Sequence, residues 1–253
     1  MILKKIPISL LVCIKIQMSD FPWKNAQCVV TCGGKGSRLW PLTLEKQKSI
    51  LEIGGKPIIG YVIDFWRQFV ADFIFIIGHG AGEVVDFVKK QPIRLKFVNN
   101  EEGLAKAVLA VEPLVADKFV LVLGDCLVNG EFVFPGGFER GVGVFCTADA
   151  GTIKRSYSIE VENDKIKNVV EKPTEIINDL CGMGVYFFDK KIFEAIKKTP
   201  VSARTGRLEL TDAIQTMIDD GLTVQPVVLD GFYININYPE ELEIARKILQ
   251  AQA

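Results

Sequence analysis

Four short apolar runs, CVVTC (28–32), FIFIIG (73–78), IRLKFV (93–98) and KFVLVLG (118–124), alternate with stretches of helical apolar spacing near 56–70, 82–90 and 104–115. Strands that are apolar almost throughout leave no face for water, so they belong in a sheet covered on both sides. Helices of this length between them are the crossovers that keep successive strands parallel. From residue 141 the pattern changes. VGVFCTA, SYSIEVENDKIKNVVEKP and GMGVYFFD read as strands with tight turns, with ENDK (162–165) as a hairpin. Helices resume near 189–198, 208–220 and 239–251, the last opened by Pro239 and two glutamates, which suit a first helical turn. No internal repeat, low-complexity tract or proline-rich linker divides the chain. One α/β domain over residues 26–253 is the expected organisation, and 253 residues suffice to bury a sizeable core.

Ligands of such sheets bind beyond the carboxyl ends of the strands. Two features sit there. After Cys32 comes the glycine-rich turn GGKGSR, holding Lys35 and Arg38, with Lys48 ten residues further on; after Leu123 comes the pair Gly124-Asp125. Glycines at 33, 34 and 36 let backbone N–H groups approach phosphate oxygens, and the cations neutralise the remaining charge. Asp125 is a hard-oxygen ligand suited to Mg²⁺, which takes one or two carboxylates alongside substrate phosphates. The turn is neither a Walker A loop nor a dinucleotide fingerprint, since Leu39 stands where the latter needs its third glycine or alanine.

Composition narrows the class. A net charge of −1 excludes a general nucleic-acid or membrane-surface binder, so an anionic ligand must meet local basic residues. Six cysteines without a C-x-x-C, and a single histidine, His79, argue against a zinc cluster or a disulfide scaffold and for a reducing cytoplasm. His79 reads as a loop residue. The opening MILKKIPISLLVCIKIQ is too short and too charged to span a bilayer, and no clear cleavage site follows it. Residues 1–25 are expected to be an extension, with Met18 a candidate start.

The stretch VVTCGGKGSRLWPLT followed by KQKSILEIGGKPI resembles the signature of the sugar-phosphate nucleotidylyltransferases, G-G-x-G-[ST]-R-L-x-P-L-T and then P-K-x-x-L-x-I-x-G-K-P. Gln47 replaces the usual proline before Lys48. Weaker motifs follow in the family's order to about residue 250. The resemblance implies a Rossmann-like three-layer α/β/α nucleotide-diphospho-sugar transferase fold with a mostly parallel central sheet, its nucleotide-binding half at 26–140 and its sugar-phosphate-binding half at 141–253. It implies Mg²⁺-dependent attack of a sugar 1-phosphate on the α-phosphorus of a nucleoside triphosphate. A homo-oligomer stays open.

By the same resemblance, Arg38, Lys48, Asp125 and Lys172 carry the chemistry. Gly33, Gly34, Lys35, Gly36 and Ser37 cradle the triphosphate, and Asn100 and Gly103 stand in the base-reading segment. Tyr157, Glu171, Lys172, Gly184 and Glu209 face the sugar phosphate. Asp125 and Asn235 hold the metal, Asn235 standing where an aspartate is usual in FYININYPEELEIA. Ser158 likewise replaces a glycine. These two departures favour a rival reading, a catalytically degraded nucleotide-sugar-binding regulatory subunit. A glycosyltransferase of the related fold is a third reading, disfavoured because Cys126 and Leu127 follow Asp125 in place of D-x-D.

Overall fold

The protein is described here from a computed structural model covering residues 13–15, 21–23 and 25–250. The first half lays down β1 (Cys13–Lys15), β2 (Gln27–Cys32), the small pair β3 (Glu52–Ile53) and β4 (Lys56–Pro57), α1 (Ile58–Trp66), β5 (Asp72–Ile77), α2 (Ala81–Val88), β6 (Arg94–Asn99), α3 (Leu104–Ala110), β7 (Lys118–Leu123) and β8 (Cys126–Pro135). The second half adds β9 (Gly141–Cys146), α4 (Ala150–Arg155), β10 (Tyr157–Glu162), β11 (Lys165–Glu171), β12 (Leu180–Asp189), α5 (Lys191–Lys198), α6 (Leu210–Asp219), β13 (Gln225–Asn235) and α7 (Pro239–Gln250).

The main sheet runs in the order β1-β8-β13-β9-β12-β7-β2-β5-β6, with the β10–β11 hairpin attached to β12. Along that path only β8 and β12 run against the rest, so the sheet is mixed and mostly parallel. Alternate side chains of each strand feed two separate cores. Val29, Ile74, Ile76, Phe119, Leu121, Tyr186 and Phe188 pack under α3, α5 and α6. Cys28, Val30, Phe73, Phe75, Val120, Val122 and Phe187 pack under α1 and α2, where Trp66 and Phe132 stack at 5.7 Å. The layers are α/β/α, as strands apolar on both faces demand.

Three elements depart from the sequence reading. The run at 93–98 is an edge strand with Arg94 and Lys96 exposed, not a buried one; charged side chains on an edge discourage pairing with other chains. The long strands β8 and β13, paired antiparallel from Val228↔Val133 to Asn235↔Cys126, were not anticipated. Of residues 1–25, most lie outside the described residues. Those described include Cys13–Lys15, paired antiparallel with β8, and the buried Trp23, stacked on Phe138 at 5.4 Å. The hairpin at 162–165 is as expected: Asn163 and Asp164 take φ of 51° and 58° between the paired Glu162 and Lys165.

Candidate active site

β2 and β7 are parallel neighbours with Thr31 opposite Leu123, so the glycine turn and Gly124-Asp125 leave the sheet side by side. Gly124 donates its N–H to the Thr31 carbonyl at 2.9 Å, and a Cβ there would fall 2.6 Å from that oxygen. Only glycine fits. β13 lies along β8 on the other flank, and the Ile236 N–H donates to the Asp125 carbonyl at 3.0 Å. Asp125 is thereby held between the glycine turn and the segment after β13.

The turn itself is pinned at both ends. Gly36 adopts φ 63°, and Thr43 Oγ1 donates to its carbonyl at 2.7 Å. A Cβ on Gly33 would fall 2.9 Å from the Asn100 carbonyl oxygen, so this glycine lets the segment after β6 close over the turn. Gln47 is buried at 4 % exposure; its Nε2 donates to the Cys32 carbonyl at 2.7 Å while its Oε1 accepts the Ser49 N–H. The amide thus does at the Lys48 turn what a proline would do only by its ring: it fixes where the next residue points.

Gly33, Gly34, Lys35, Gly36, Ser37, Arg38, Lys48, Asn100, Gly103 and Asp125 all line one cavity of about 390 Å³. Lys48 Nζ is ion-paired with Asp125 Oδ2 there, their side chains 12 % and 14 % exposed. Asn237, which the sequence reading passed over, joins them. Its Oδ1 accepts from Arg38 Nη2 at 2.8 Å and from Lys48 Nζ at 3.2 Å. Glu241 fixes this residue, since its Oε2 accepts the N–H groups of Asn237 at 2.6 Å and Tyr238 at 3.0 Å, a reach back from the first turn of α7. Arg38 also lies over the Tyr238 ring at 5.4 Å. Beneath, Leu39, Leu51, Ile53, Leu127, Ile236 and Leu242 form a third core that locks the turn, β8 and α7 together. No local pattern marks Asn237: its role depends on Arg38 and Lys48, both distant in sequence.

Asn235 does not line this cavity, but its Oδ1 is buried and has no hydrogen-bond partner among the described residues. Its strand partner is Cys126, next to Asp125. Cys126 itself is buried, and burial pushes its thiol well above the ordinary range, so it is no nucleophile at neutral pH.

The acceptor half divides the expected residues. Glu171, Lys172 and Glu209 gather: Lys172 Nζ lies 3.4 Å from Glu171 Oε1, and Thr211 Oγ1 lies 3.3 Å from Glu171 Oε2. Burial raises the Glu171 carboxyl, with Glu209 adding to the rise and Lys172 opposing it. Lys172 sits at φ 47° where β11 ends, a left-handed turn that sends it off the strand line, and its N–H donates to the Ser156 carbonyl at 2.7 Å.

Tyr157 and Gly184 are engaged in packing. Tyr157 is 3 % exposed, its hydroxyl donating to the Met183 carbonyl at 2.8 Å and its ring filling the space over Gly182, where a Cβ would fall 1.9 Å from it. It is core. Gly184 is a glycine because a Cβ would meet Cys126 Sγ at 2.6 Å, and its N–H is already committed to the Tyr233 hydroxyl at 2.9 Å.

The family described as Nucleotidyl transferase matches residues 27–134 and 143–234. The chain belongs to this family, within its sugar-phosphate nucleotidyltransferases. It is 32 % identical over 237 residues to the UTP–glucose-1-phosphate uridylyltransferase AglF of Haloferax volcanii, spanning 89 % of this chain and 97 % of that one. It is also 32 % identical over 227 residues to the bifunctional protein GlmU of Methanocaldococcus jannaschii, covering 87 % of this chain but only 53 % of that longer one. A provisionally described glucose-1-phosphate thymidylyltransferase from Bacillus anthracis, solved with sucrose, superposes with TM-score 0.76 at 25 % identity, over 88 % of this chain and 95 % of that one. A UDP-glucose pyrophosphorylase solved with UDP-glucose gives 0.78 at 19 % identity over 91 % of this chain and all of that one, which supports the fold alone.

Proposed function

We propose that the protein transfers a nucleotidyl group from a nucleoside triphosphate to a sugar 1-phosphate, giving a nucleoside diphosphate sugar and pyrophosphate. The convergence of Arg38, Lys48, Asp125 and Asn237 on the glycine turn carries this reading. An acceptor phosphate oxygen forms a bond to the α-phosphorus as the bond to the bridging oxygen of pyrophosphate breaks. The acceptor is already anionic at neutral pH, so no protein nucleophile is needed; the work lies in bringing two anions together in line.

The backbone of residues 33–37 faces the phosphate chain. Lys48 exchanges its partner Asp125 for triphosphate oxygens, Arg38 and Lys35 meet the departing pyrophosphate, and Lys172 meets the acceptor phosphate. Glu171 and Glu209 accept hydrogen bonds from sugar hydroxyls. Asn237 holds Arg38 and Lys48 in one orientation until the phosphates arrive, and Glu241 acts through Asn237 as a positioning residue.

Mg²⁺ is the metal we assign to the site. Asp125 would supply one hard oxygen, and the orphaned Oδ1 of Asn235, whose strand partner is Cys126, would be a second, in keeping with an ion that keeps several waters and few protein ligands. Bound there, it supplies Lewis-acid stabilisation of charge on the phosphates. The cytoplasm fits Cys28, Cys32, Cys126, Cys146 and Cys181, which are free thiols. No helix among the described residues is long and apolar enough to cross a membrane.

The test is pyrophosphate release over five nucleoside triphosphates and the common hexose 1-phosphates. Activity on at least one pair, and its loss by about a hundredfold or more in Asp125→Ala, is expected. Silence across the matrix with nucleotide binding intact would transfer the reading to a regulatory subunit.

A further inference from the structure

Lys172 and Asn237 stand on opposite sides of the proposed reaction, and the contacts that hold them meet at one carboxylate. On the acceptor side, the Lys172 N–H donates to the Ser156 carbonyl at 2.7 Å, and Ser156 Oγ donates to the Gly182 carbonyl at 2.8 Å. The Lys172 turn is thus tied to the residue that follows α4. On the nucleotide side, Asn237 binds Arg38 and Lys48 and is itself held by Glu241. The last residue of α4 is Arg155, and its Nε lies 4.0 Å from Glu241 Oε1.

Glu241 divides its two oxygens between the halves. Oε2 accepts the N–H groups of Asn237 and Tyr238, and Oε1 faces Arg155, its ion-pair partner among the described residues. The Glu241 side chain is 19 % exposed, so water screens its charge poorly. Arg155, 49 % exposed, has a second carboxylate within reach: its Nη2 donates to Thr152 Oγ1 at 3.4 Å and lies 4.0 Å from Asp149 Oδ2. Asp149 is 57 % exposed and already committed, as the N-cap of α4, to the Gly151 N–H and the Thr152 hydroxyl. Of the two carboxylates, Glu241 gains more from a closer guanidinium. A half-exposed pair at this distance adds little to stability. What matters is what each end carries.

We infer that, on the reading proposed above, Arg155 is a positioning residue that couples the two substrate sites. A sugar phosphate that draws Lys172 inward pulls on the Ser156 carbonyl and moves the end of α4, closing the gap between Arg155 and Glu241. Glu241 then holds Asn237 more firmly, and Asn237 keeps Arg38 and Lys48 turned to the triphosphate. The coupling runs equally in the other direction, because each substrate must change the other's affinity by the same factor.

The probes are the fastest-reacting hexose 1-phosphate from the matrix above and the α,β-methylene analogue of its nucleoside triphosphate, which cannot release pyrophosphate. Calorimetry with Mg²⁺ measures the affinity for the analogue with and without saturating sugar phosphate. In the parent protein the sugar phosphate should tighten binding of the analogue at least about fivefold. Arg155→Met should bind the analogue alone within about twofold of the parent and lose the tightening, whereas Arg155→Lys, which keeps the charge, should retain part of it. Glu241→Gln keeps an oxygen for the two N–H groups without the charge, so it too should lose the tightening, and adding Arg155→Met to it should change nothing further. Thermal midpoints report folding of every variant. No tightening in the parent, full tightening in Arg155→Met, no more in Arg155→Lys than in Arg155→Met, or a further loss in the double variant overturns the inference. Any of these alongside turnover in the matrix leaves the proposed reaction standing; silence across the matrix brings down both.

Discussion

The two halves of the sheet treat their ligand-facing residues differently. Around β2 and β7 every expected nucleotide-side residue reaches one cavity. Around β10–β12 the expected residues split: Glu171, Lys172 and Glu209 gather, whereas Tyr157 and Gly184 are consumed by packing. The first site is made of backbone and point charges at the ends of parallel strands, which any chain of that topology must bring together. The second draws on residues in or just past antiparallel strands, where a one-residue change of register or facing decides between ligand and core, together with Glu209 ahead of α6.

The largest contrast should appear between the two lysines. Lys48, nearly buried and paired with Asp125, should cost about a hundredfold or more in kcat/KM when changed to alanine, because the triphosphate loses the cation that exchanges Asp125 for its oxygens. Lys172 is 52 % exposed, and Lys172→Ala should mainly raise the KM for the sugar phosphate, by about tenfold. Steady-state kinetics with each substrate varied in turn separates the two; equal effects on both substrates would erase the distinction between halves.

Next comes Tyr157→Phe. Losing the hydroxyl leaves the Met183 carbonyl unpaired, so denaturation should show about 1–2 kcal/mol of lost stability with the sugar-phosphate KM unchanged. A raised KM at unchanged stability would return Tyr157 to the sugar site.

The smallest effect concerns Glu171. Its carboxyl is raised by burial, so the fold favours the protonated form. That contribution is fully present below the unfolded-chain value and is lost as pH rises through the folded one, which means the ionised group costs stability at neutral pH. Glu171→Gln should therefore melt higher than the parent at pH 7. The gap should close as pH falls below the ordinary glutamate range, while sugar-phosphate binding weakens at every pH. A gap independent of pH would show that burial of this charge is not the cause.

How much of this was legible in the chain follows from how far apart the cooperating residues lie. The strand and helix alternation, the glycine turn and Asp125 are local patterns, and the topology does the rest. Asn237 eluded the reading because its role depends on Arg38 and Lys48, both far away in sequence, and because weight fell on Asn235, where the motif has its usual aspartate. Tyr157 sits in a segment whose order of residues matches the family, yet nothing in that order tells that the ring turns toward Gly182. Glu241 looked like an ordinary helix-start glutamate, and it is one. Its second use, holding Asn237, exists only because β13 ends beside Asp125.

Of the three tryptophans, Trp23 and Trp66 are 7 % and 1 % exposed, while Trp40, two residues after Arg38, is 57 % exposed. The molecule therefore carries its own optical reporter at the phosphate turn. Red-shifted, iodide-quenchable emission belongs to Trp40 and blue emission to the other two. Ligand arrival can be timed by stopped-flow without attaching a dye.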